Sequence, residues 1–220
     1  MKSFAAKFID PGSYMGEVLF GLIMTLTFTL GASLVIQAEG REGARAMLIG
    51  IVGCNIAWGI IDGVLYVLGI LFERGRMRRV GFKVREAASP DAARSLVARE
   101  LDDYLVPVTE PAQRDSLYGS IVEKLRNSPP APNGVRGDDI KGGLAACWLV
   151  IACSIPAVIP FLLIDDLHRA LRVSNGILLA LLFYVGYRHA RHTTAQPLLT
   201  GLVFLAVGVF LVAITIRLGG

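Results

Sequence analysis

Long uncharged stretches alternate with one polar segment along this chain, and that pattern predicts its fold. About 18 or more consecutive apolar residues suffice for a helix to cross the hydrocarbon core of a bilayer. Five runs contain a single ionised side chain among them, and four of the five reach that length; they are Val18–Ala38, Ala46–Phe72, Gly142–Ile164, Val173–Tyr187 and Thr193–Ile216. Leu167, Ala170 and Leu171 extend the fourth run, which has only 15 uncharged residues. We predict an all-α polytopic membrane protein with five transmembrane helices.

A polar-rich segment divides the runs two plus three. The predicted boundaries are transmembrane helices 1 and 2 over residues 14–73, a helical insert over 74–140 and transmembrane helices 3 to 5 over 141–217. Within the insert, Ser89-Pro90 is typical of a helix start, and Thr109-Glu110-Pro111 marks a second start. Apolar residues recur at helical spacing after each start, namely Ala93, Leu96, Val97, Leu101 and Leu105, then Leu117, Tyr118, Ile121, Val122 and Leu125. Two such helices would bury their stripes against each other, another subunit or the membrane surface.

Composition and charge fit a membrane protein and indicate its orientation. Hydrophobic residues make up 54% of the chain and charged residues 18%. The net charge of +4 does not indicate nucleic-acid binding, because most basic residues share the insert with acidic ones. Basic residues concentrate at Lys2 and Lys7 and again over 74–85, which favours a cytoplasmic N-terminus and insert and an external C-terminus, in the cell (inner) membrane. A signal peptide over Met1–Ala38 is disfavoured by the length of the apolar run and by Glu17 at its mouth.

The ionised side chain within the runs, Asp62, is the first candidate for function. It lies about three residues, or roughly 4.5 Å, from the middle of the second run. An ionised acid there costs about 3 kcal/mol even on lenient insertion scales, so it should face the bundle interior with a partner or be protonated. Asn55 shares its helix face, and Gly59 and Gly63 form a Gly-x-x-x-Gly pair that lets another backbone approach. A role in ion or proton transport and an Asn–Asp hydrogen-bond clamp between helices are both open.

Glu17 and Met24 extend this candidate pathway into the first helix. Glu17 is expected at the cytoplasmic mouth, either as an interfacial acid that complements the helix dipole or as part of one cation path with Asp62, Asn55 and Met24. Pro156 and Pro160 interrupt the third span, as a packing kink or as a carbonyl-lined site.

Enzyme chemistry finds no support in the sequence, because none of the common catalytic or nucleotide-binding motifs occurs. The chain is therefore predicted not to be an enzyme and to need no cofactor. Three cysteines, Cys54, Cys147 and Cys153, lie inside the runs and are expected as buried free thiols. In the insert, Glu100 and Asp103 share a helix face at i, i+3 and form a weak candidate metal site, with surface salt bridges as the alternative.

The layout and three local stretches resemble the vacuolar iron transporter family. The stretches are Gly16-Glu17-Val18-Leu19-Phe20-Gly21-Leu22, Gly53-Cys54-Asn55-Ile56-Ala57-Trp58-Gly59 and Ser154-Ile155-Pro156-Ala157-Val158-Ile159-Pro160-Phe161. The resemblance implies a homodimer whose first helices line a central path that exchanges divalent iron or manganese for protons, with metal captured by the insert.

This sequence departs from the family at its pathway residues. Ile23-Met24-Thr25 stands where the family has an Asn/Ser-Asp-Gly motif, and Asn55-Ile56 followed by Ile60 stands where it has Ser-Met and then Glu. Transport of Fe²⁺ or Mn²⁺ in exchange for protons is therefore expected to use a rebuilt pathway of Asp62, Glu17, Asn55 and Met24. The alternative is a non-transporting membrane scaffold or regulatory protein whose insert binds a partner.

Overall fold

The computed structural model describes residues 9–31, 33–130 and 132–217, and the regular structure of these residues is helical. In chain order the elements are α1 (Pro11–Gly31), α2 (Ser33–Glu86), α3 (Pro90–Leu105), a 3-10 turn (Val106–Val108), α4 (Pro111–Asn127), α5 (Gly137–Ala152), α6 (Ile155–Leu163), α7 (Leu167–Ala190) and α8 (Pro197–Arg217). They belong to two compact units, which we call the bundle (residues 1–67 and 137–220) and the insert (residues 68–136). Helix α2 contributes residues to both.

The all-helical class is confirmed for the described residues, whereas the predicted count of five spans stays a prediction. In the described part of the chain, four helical stretches are long and apolar enough to cross a membrane: Gly12–Leu30, Glu39–Glu86, Gly137–Leu163 and Leu167–Ala190. The 21-residue α8 contains a shorter apolar stretch, Pro197–Leu211. Lys2 and Lys7, on which the predicted orientation partly depends, lie outside the described residues.

Helix α1 begins earlier than the uncharged run Val18–Ala38 indicated. Its start is set by Asp10, whose carboxylate accepts the backbone N–H groups of Gly12 (2.9 Å) and Ser13 (3.0 Å). Hydrogen bonds from Ser13 hold the pKa of Asp10 below its usual value. The apolar core then extends back to Met15, which is buried, so the helix continues past the charged residue that seemed to mark its mouth.

A backbone break at Gly40 divides α2 near its start. Gly40 has φ 59° and ψ −126°, a conformation that residues with side chains rarely adopt. Residues 41–86 then continue without a further break, through the predicted second span and into the insert.

The bundle core is built around α1. Leu22 and Leu26 of α1 are almost fully buried in a cluster with residues of α6, α7 and the segment between α5 and α6. The other buried members of this cluster are Met15, Cys153, Ala157, Leu178, Leu182 and Val185. All three cysteines are free thiols, as predicted, although Cys54 and Cys147 are only partly buried.

Glycines allow α2 and α5 to approach each other at backbone distance. A Cβ atom added at Gly63 would lie 2.7 Å from the carbonyl oxygen of Gly143, and one added at Gly59 would lie 2.7 Å from that of Cys147. Side chains at these positions would therefore force the helices apart. The close approach that the Gly-x-x-x-Gly pair predicted is confirmed, with α5 as the neighbouring helix.

The third predicted span is broken into α5 and α6. At the break the backbone N–H groups of Cys153 and Ser154 bond to carbonyl groups three residues earlier, at 3.2 and 3.1 Å. Pro156 lies in the first turn of α6, where its missing N–H costs no helix hydrogen bond, and Pro160 lies inside that helix. The prolines thus accompany a kink in the backbone.

The turn before α7 contains two acidic residues, Asp165 and Asp166. Asp166 caps α7 by accepting the backbone N–H groups of His168 and Arg169, at 3.0 and 3.1 Å. These hydrogen bonds, that of Arg169 above all, hold the pKa of Asp166 below its usual value. Asp165 forms a long, exposed ion pair with Arg41, at 3.9 Å.

The insert packs α3 and α4 against the last turns of α2. Ser89 caps α3 as predicted, since its hydroxyl oxygen accepts the backbone N–H of Ala92 at 3.1 Å, and α4 begins at Pro111. The buried core consists of Val84, Ala93, Val97, Tyr118 and Val122. Leu117 was predicted in the buried stripe but is 42% exposed, because the stripe centres on Tyr118 and Val122 instead.

Candidate functional site

The candidate site lies where α1 and α2 run antiparallel inside the bundle. Phe20 meets Trp58 edge to face with ring centroids 5.6 Å apart, and one turn further Met24 meets Cys54. A residue four positions later in α1 thus contacts a residue four positions earlier in α2. The same register places the two predicted acids of these helices opposite each other.

Glu17 and Asp62 form a carboxyl pair between the two helices. Their side chains lie close enough to interact directly, and both are half-buried. Two carboxyl groups can share a hydrogen bond only when one of them carries a proton. In the described part of the chain, neither carboxyl is paired with a basic side chain, and no donor reaches the buried Oδ2 of Asp62.

Glu17 lies further along its helix than the sequence indicated. Helix α1 begins at Pro11, six residues earlier, so Glu17 lies about 9 Å along the helix at 1.5 Å per residue. It faces Asp62 there, and its role as an interfacial acid or as part of a cation path stays a prediction.

A second polar contact lies about two turns deeper along α2. Asn55 is fully buried, and its Nδ2 donates to Oγ1 of Thr25 at 3.1 Å and to the carbonyl oxygen of Ile51 at 2.9 Å. Its Oδ1 is buried and has no donor among the described residues. Asn55 and Asp62 therefore contact α1 at two separate points, and the hydrogen bonds of Asn55 are not those of an Asn–Asp clamp.

Met24 lies beside this second contact rather than in it. Its Sδ accepts a weak hydrogen bond from Sγ of Cys54, with the sulfur atoms 3.6 Å apart. Sequence analysis missed Thr25, which is fully buried and donates to the carbonyl oxygen of Gly21 at 2.8 Å as well as accepting from Asn55. A buried hydroxyl inside an apolar helix, eight residues after Glu17, was the available signal.

Further polar groups continue from the carboxyl pair toward the beginning of α1. Tyr66 follows Asp62 by one helical turn, and its ring packs on Gly142 at the start of α5. Asp139 and Asp10 interact electrostatically with the Tyr66 hydroxyl, and Asp139 is 95% buried. Sequence analysis did not single out Asp139, because it follows a proline-rich linker and reads as one of several exposed acids.

Of the two weak metal candidates of the insert, Glu100 takes part in an ion-pair network. Glu100 is bound by the guanidinium of Arg76, which also bonds Glu73, and Asp103 is exposed. This arrangement favours the salt-bridge alternative, with Arg76 as the partner rather than a basic residue of α3. Among the described residues, no three His, Cys, Asp or Glu side chains form a group that could hold a metal ion.

No protein-family model and no curated protein sequence matches this chain. The resemblance to vacuolar iron transporters therefore rests on the residues quoted above and stays an expectation.

Proposed function

We propose that this protein moves a divalent cation, Fe²⁺ or Mn²⁺, across a membrane in exchange for protons, with Glu17 and Asp62 as the site for which both compete. The observation that supports the proposal is the contact of these two carboxyl groups inside apolar helices, without a basic partner among the described residues. A structural ion pair would place a Lys or Arg there, since an unpaired charge is unfavourable at this depth.

Charge balance supports a two-for-one exchange. Two protonated carboxyl groups are neutral, and two carboxylates with one divalent cation are neutral as well. Either state is therefore tolerated in a low-dielectric bundle, whereas the pair ionised without a cation is not. Carboxylate oxygens are also ligands that Mn²⁺ accepts readily.

The polar groups on either side of the pair give the cation a route. Asp10, Asp139 and Tyr66 lie toward the beginning of α1, and the unpaired Oδ1 of Asn55 lies deeper in the bundle. Water would complete the coordination of the cation. The homodimer that the family resemblance implies would bring two such pairs to one central path. We place the N-terminus and the insert in the cytoplasm of a five-span protein in the cell membrane.

Flux measurements in liposomes test the proposal. Purified protein is reconstituted with a metal-sensitive dye and a pH-sensitive dye inside, and Mn²⁺ or Fe²⁺ is added outside. We expect metal entry coupled to proton exit, abolished in Asp62→Asn and Glu17→Gln. Asp165→Asn, which removes an exposed carboxylate of the turn before α7, is the matched control and should transport normally.

Two outcomes would overturn the proposal. Equal flux in wild type and Asp62→Asn would remove the pair from the pathway. Absence of metal-dependent flux in the wild type, together with a protein that co-purifies through the insert, would support the scaffold alternative instead.

A further inference from the structure

The insert contains a groove with an apolar floor and a basic rim. Its volume is about 350 Å³, and it is formed entirely by residues of the insert. Val97, Leu101, Ile121 and Leu125 contribute the apolar surface, and Arg74, Arg78 and Arg85 contribute positive charge. A groove that combines these surfaces suits a ligand with an anionic group attached to a hydrocarbon part.

Most charged groups at the groove are already engaged within the insert. Arg85 donates to the carbonyl oxygens of Leu125 at 2.7 Å and Ser128 at 2.8 Å. Glu100, the acid that lines the groove, is ion-paired with Arg76, which also binds Glu73. The ion pair weakens the repulsion between Glu100 and an incoming anion, and Arg85 is held in place by its two hydrogen bonds.

Arg78 is the exception. Its Nε is buried and has no acceptor within the described residues, although burial of an unsatisfied charged donor is unfavourable. The guanidinium lies over the ring of Phe82, 5.4 Å from the centroid, which restricts its orientation. Arg78 thus has an unpaired Nε donor and a restricted orientation, and guanidinium groups bind phosphate through pairs of N–H donors.

The position of Arg78 in the chain points to the source of the anion. The uncharged run of α2 ends at Phe72, and six basic residues follow on the same helix over residues 74–85. Basic clusters directly after a membrane span lie at the level of lipid headgroups, where each residue near an anionic surface gains about 1 kcal/mol.

We propose that this groove binds one anionic phospholipid, with the phosphate on the Arg78 guanidinium and the upper part of an acyl chain on the apolar floor. An acidic amphipathic peptide would complement the same charges, but a basic cluster directly after an apolar run favours a lipid over a peptide. The inference does not depend on transport by the bundle.

Binding is tested on the delipidated full-length protein in mild detergent. Short-chain phosphatidylglycerol is titrated and bound lipid is counted by native mass spectrometry, beside short-chain phosphatidylcholine and inorganic phosphate. We expect saturable binding of phosphatidylglycerol, at least tenfold tighter than of phosphatidylcholine. Inorganic phosphate should compete only weakly, because it does not contact the apolar floor.

Neighbouring arginines provide the matched comparison. Arg78→Gln should weaken phosphatidylglycerol binding about tenfold or more, whereas Arg79→Gln, which removes the same charge from an exposed residue outside the groove, should change it less than about twofold. Arg78→Lys keeps the charge but lacks the planar fork, so it should also weaken binding. It serves as the test if Arg78→Gln does not fold.

Four results would overturn the inference. The first is equal binding of the two lipids, and the second is an equal loss of lipid binding in Arg78→Gln and Arg79→Gln. The third is full competition by inorganic phosphate. The fourth is a dimer that contains no lipid, detected by its mass in the wild type and absent in Arg78→Gln. The third would indicate a simple anion site, and the fourth would show that a second copy of the chain covers the groove.

Discussion

Replacement of Gly63 by alanine should destabilise the bundle through one identifiable contact. The new methyl group would lie 2.7 Å from the carbonyl oxygen of Gly143, and Cβ atoms in proteins essentially never come within 3.0 Å of another heavy atom. An ordinary contact begins near 3.4 Å, so α2 and α5 must separate by up to about 0.7 Å, since the obstacle is backbone and cannot rotate away. Overpacking of this kind costs about 1–3 kcal/mol. For a chain of this length that corresponds to a melting temperature about 2–12 °C lower.

A second glycine on the same helix provides the control. A Cβ atom at Gly53 would meet nothing within 4 Å, so alanine there adds no steric conflict. Alanine favours the helical backbone over glycine by up to about 1 kcal/mol, so Gly53→Ala should leave stability unchanged or raise it slightly. The two substitutions are chemically identical, but only Gly63→Ala is predicted to destabilise the bundle.

Thermal unfolding of the detergent-purified proteins can be followed with a dye that becomes fluorescent on reaction with thiols. The three free cysteines lie in the helices or at the break between α5 and α6, and become accessible as the bundle unfolds. If Gly63→Ala melted at the wild-type temperature, or if Gly53→Ala lost as much stability, the close approach of α2 and α5 would not be what stabilises this interface.

Three further predictions concern single residues outside the carboxyl pair. Gly40→Ala should cost about 1–3 kcal/mol, visible as a lower melting temperature, because the φ of 59° is strained for any residue with a side chain. Backbone N–H groups lower the pKa of Asp166 in the folded protein. The Asp166 carboxylate therefore contributes fully to stability above its pKa in the unfolded chain, and this contribution is lost as the pH falls through its pKa in the folded protein. Asp166→Asn should therefore show a smaller loss of melting temperature between about pH 5 and 3 than wild type, and identical curves would contradict this. The hydrogen bond to Asp102 raises the pKa of Tyr118 in the folded protein. Tyr118 therefore contributes fully to stability below its pKa in the unfolded chain, and this contribution is lost as the pH rises through its pKa in the folded protein. Tyr118→Phe should weaken the alkaline loss of stability above about pH 10, and Tyr104→Phe, which alters an exposed ring, should not.

Local physical chemistry made much of the fold predictable. Ser89 and Pro90 start a helix because a hydroxyl acceptor and a missing N–H suit the first turn whatever surrounds it. The extension of the fourth run through Leu167 was likewise predictable, since hydropathy is a property of the segment itself. The Gly59–Gly63 spacing indicated a helix contact for the same reason, although not which helix would make it.

The candidate site depended on information that no segment contains. Glu17 and Asp62 were each recognised as unusual, but their contact requires the register between α1 and α2, which is set by many side chains packing at once. The uncharged run alone put Glu17 at the start of the first helix, whereas α1 begins six residues earlier, at Pro11. Thr25 was missed because its importance comes from Asn55, thirty residues away.

Helix formation, capping and the tendency to enter a bilayer are decided by residues within a few turns of one another, so the sequence by itself determined an all-helical chain with membrane-spanning segments. The rotation of each helix about its axis and its offset from its neighbours are decided by packing between distant segments, because close-packed interiors admit few arrangements. Only the tertiary structure therefore decided that two acids face each other, that Asn55 pairs with a threonine, and that Arg76 binds Glu100 while Nε of Arg78 has no acceptor among the described residues.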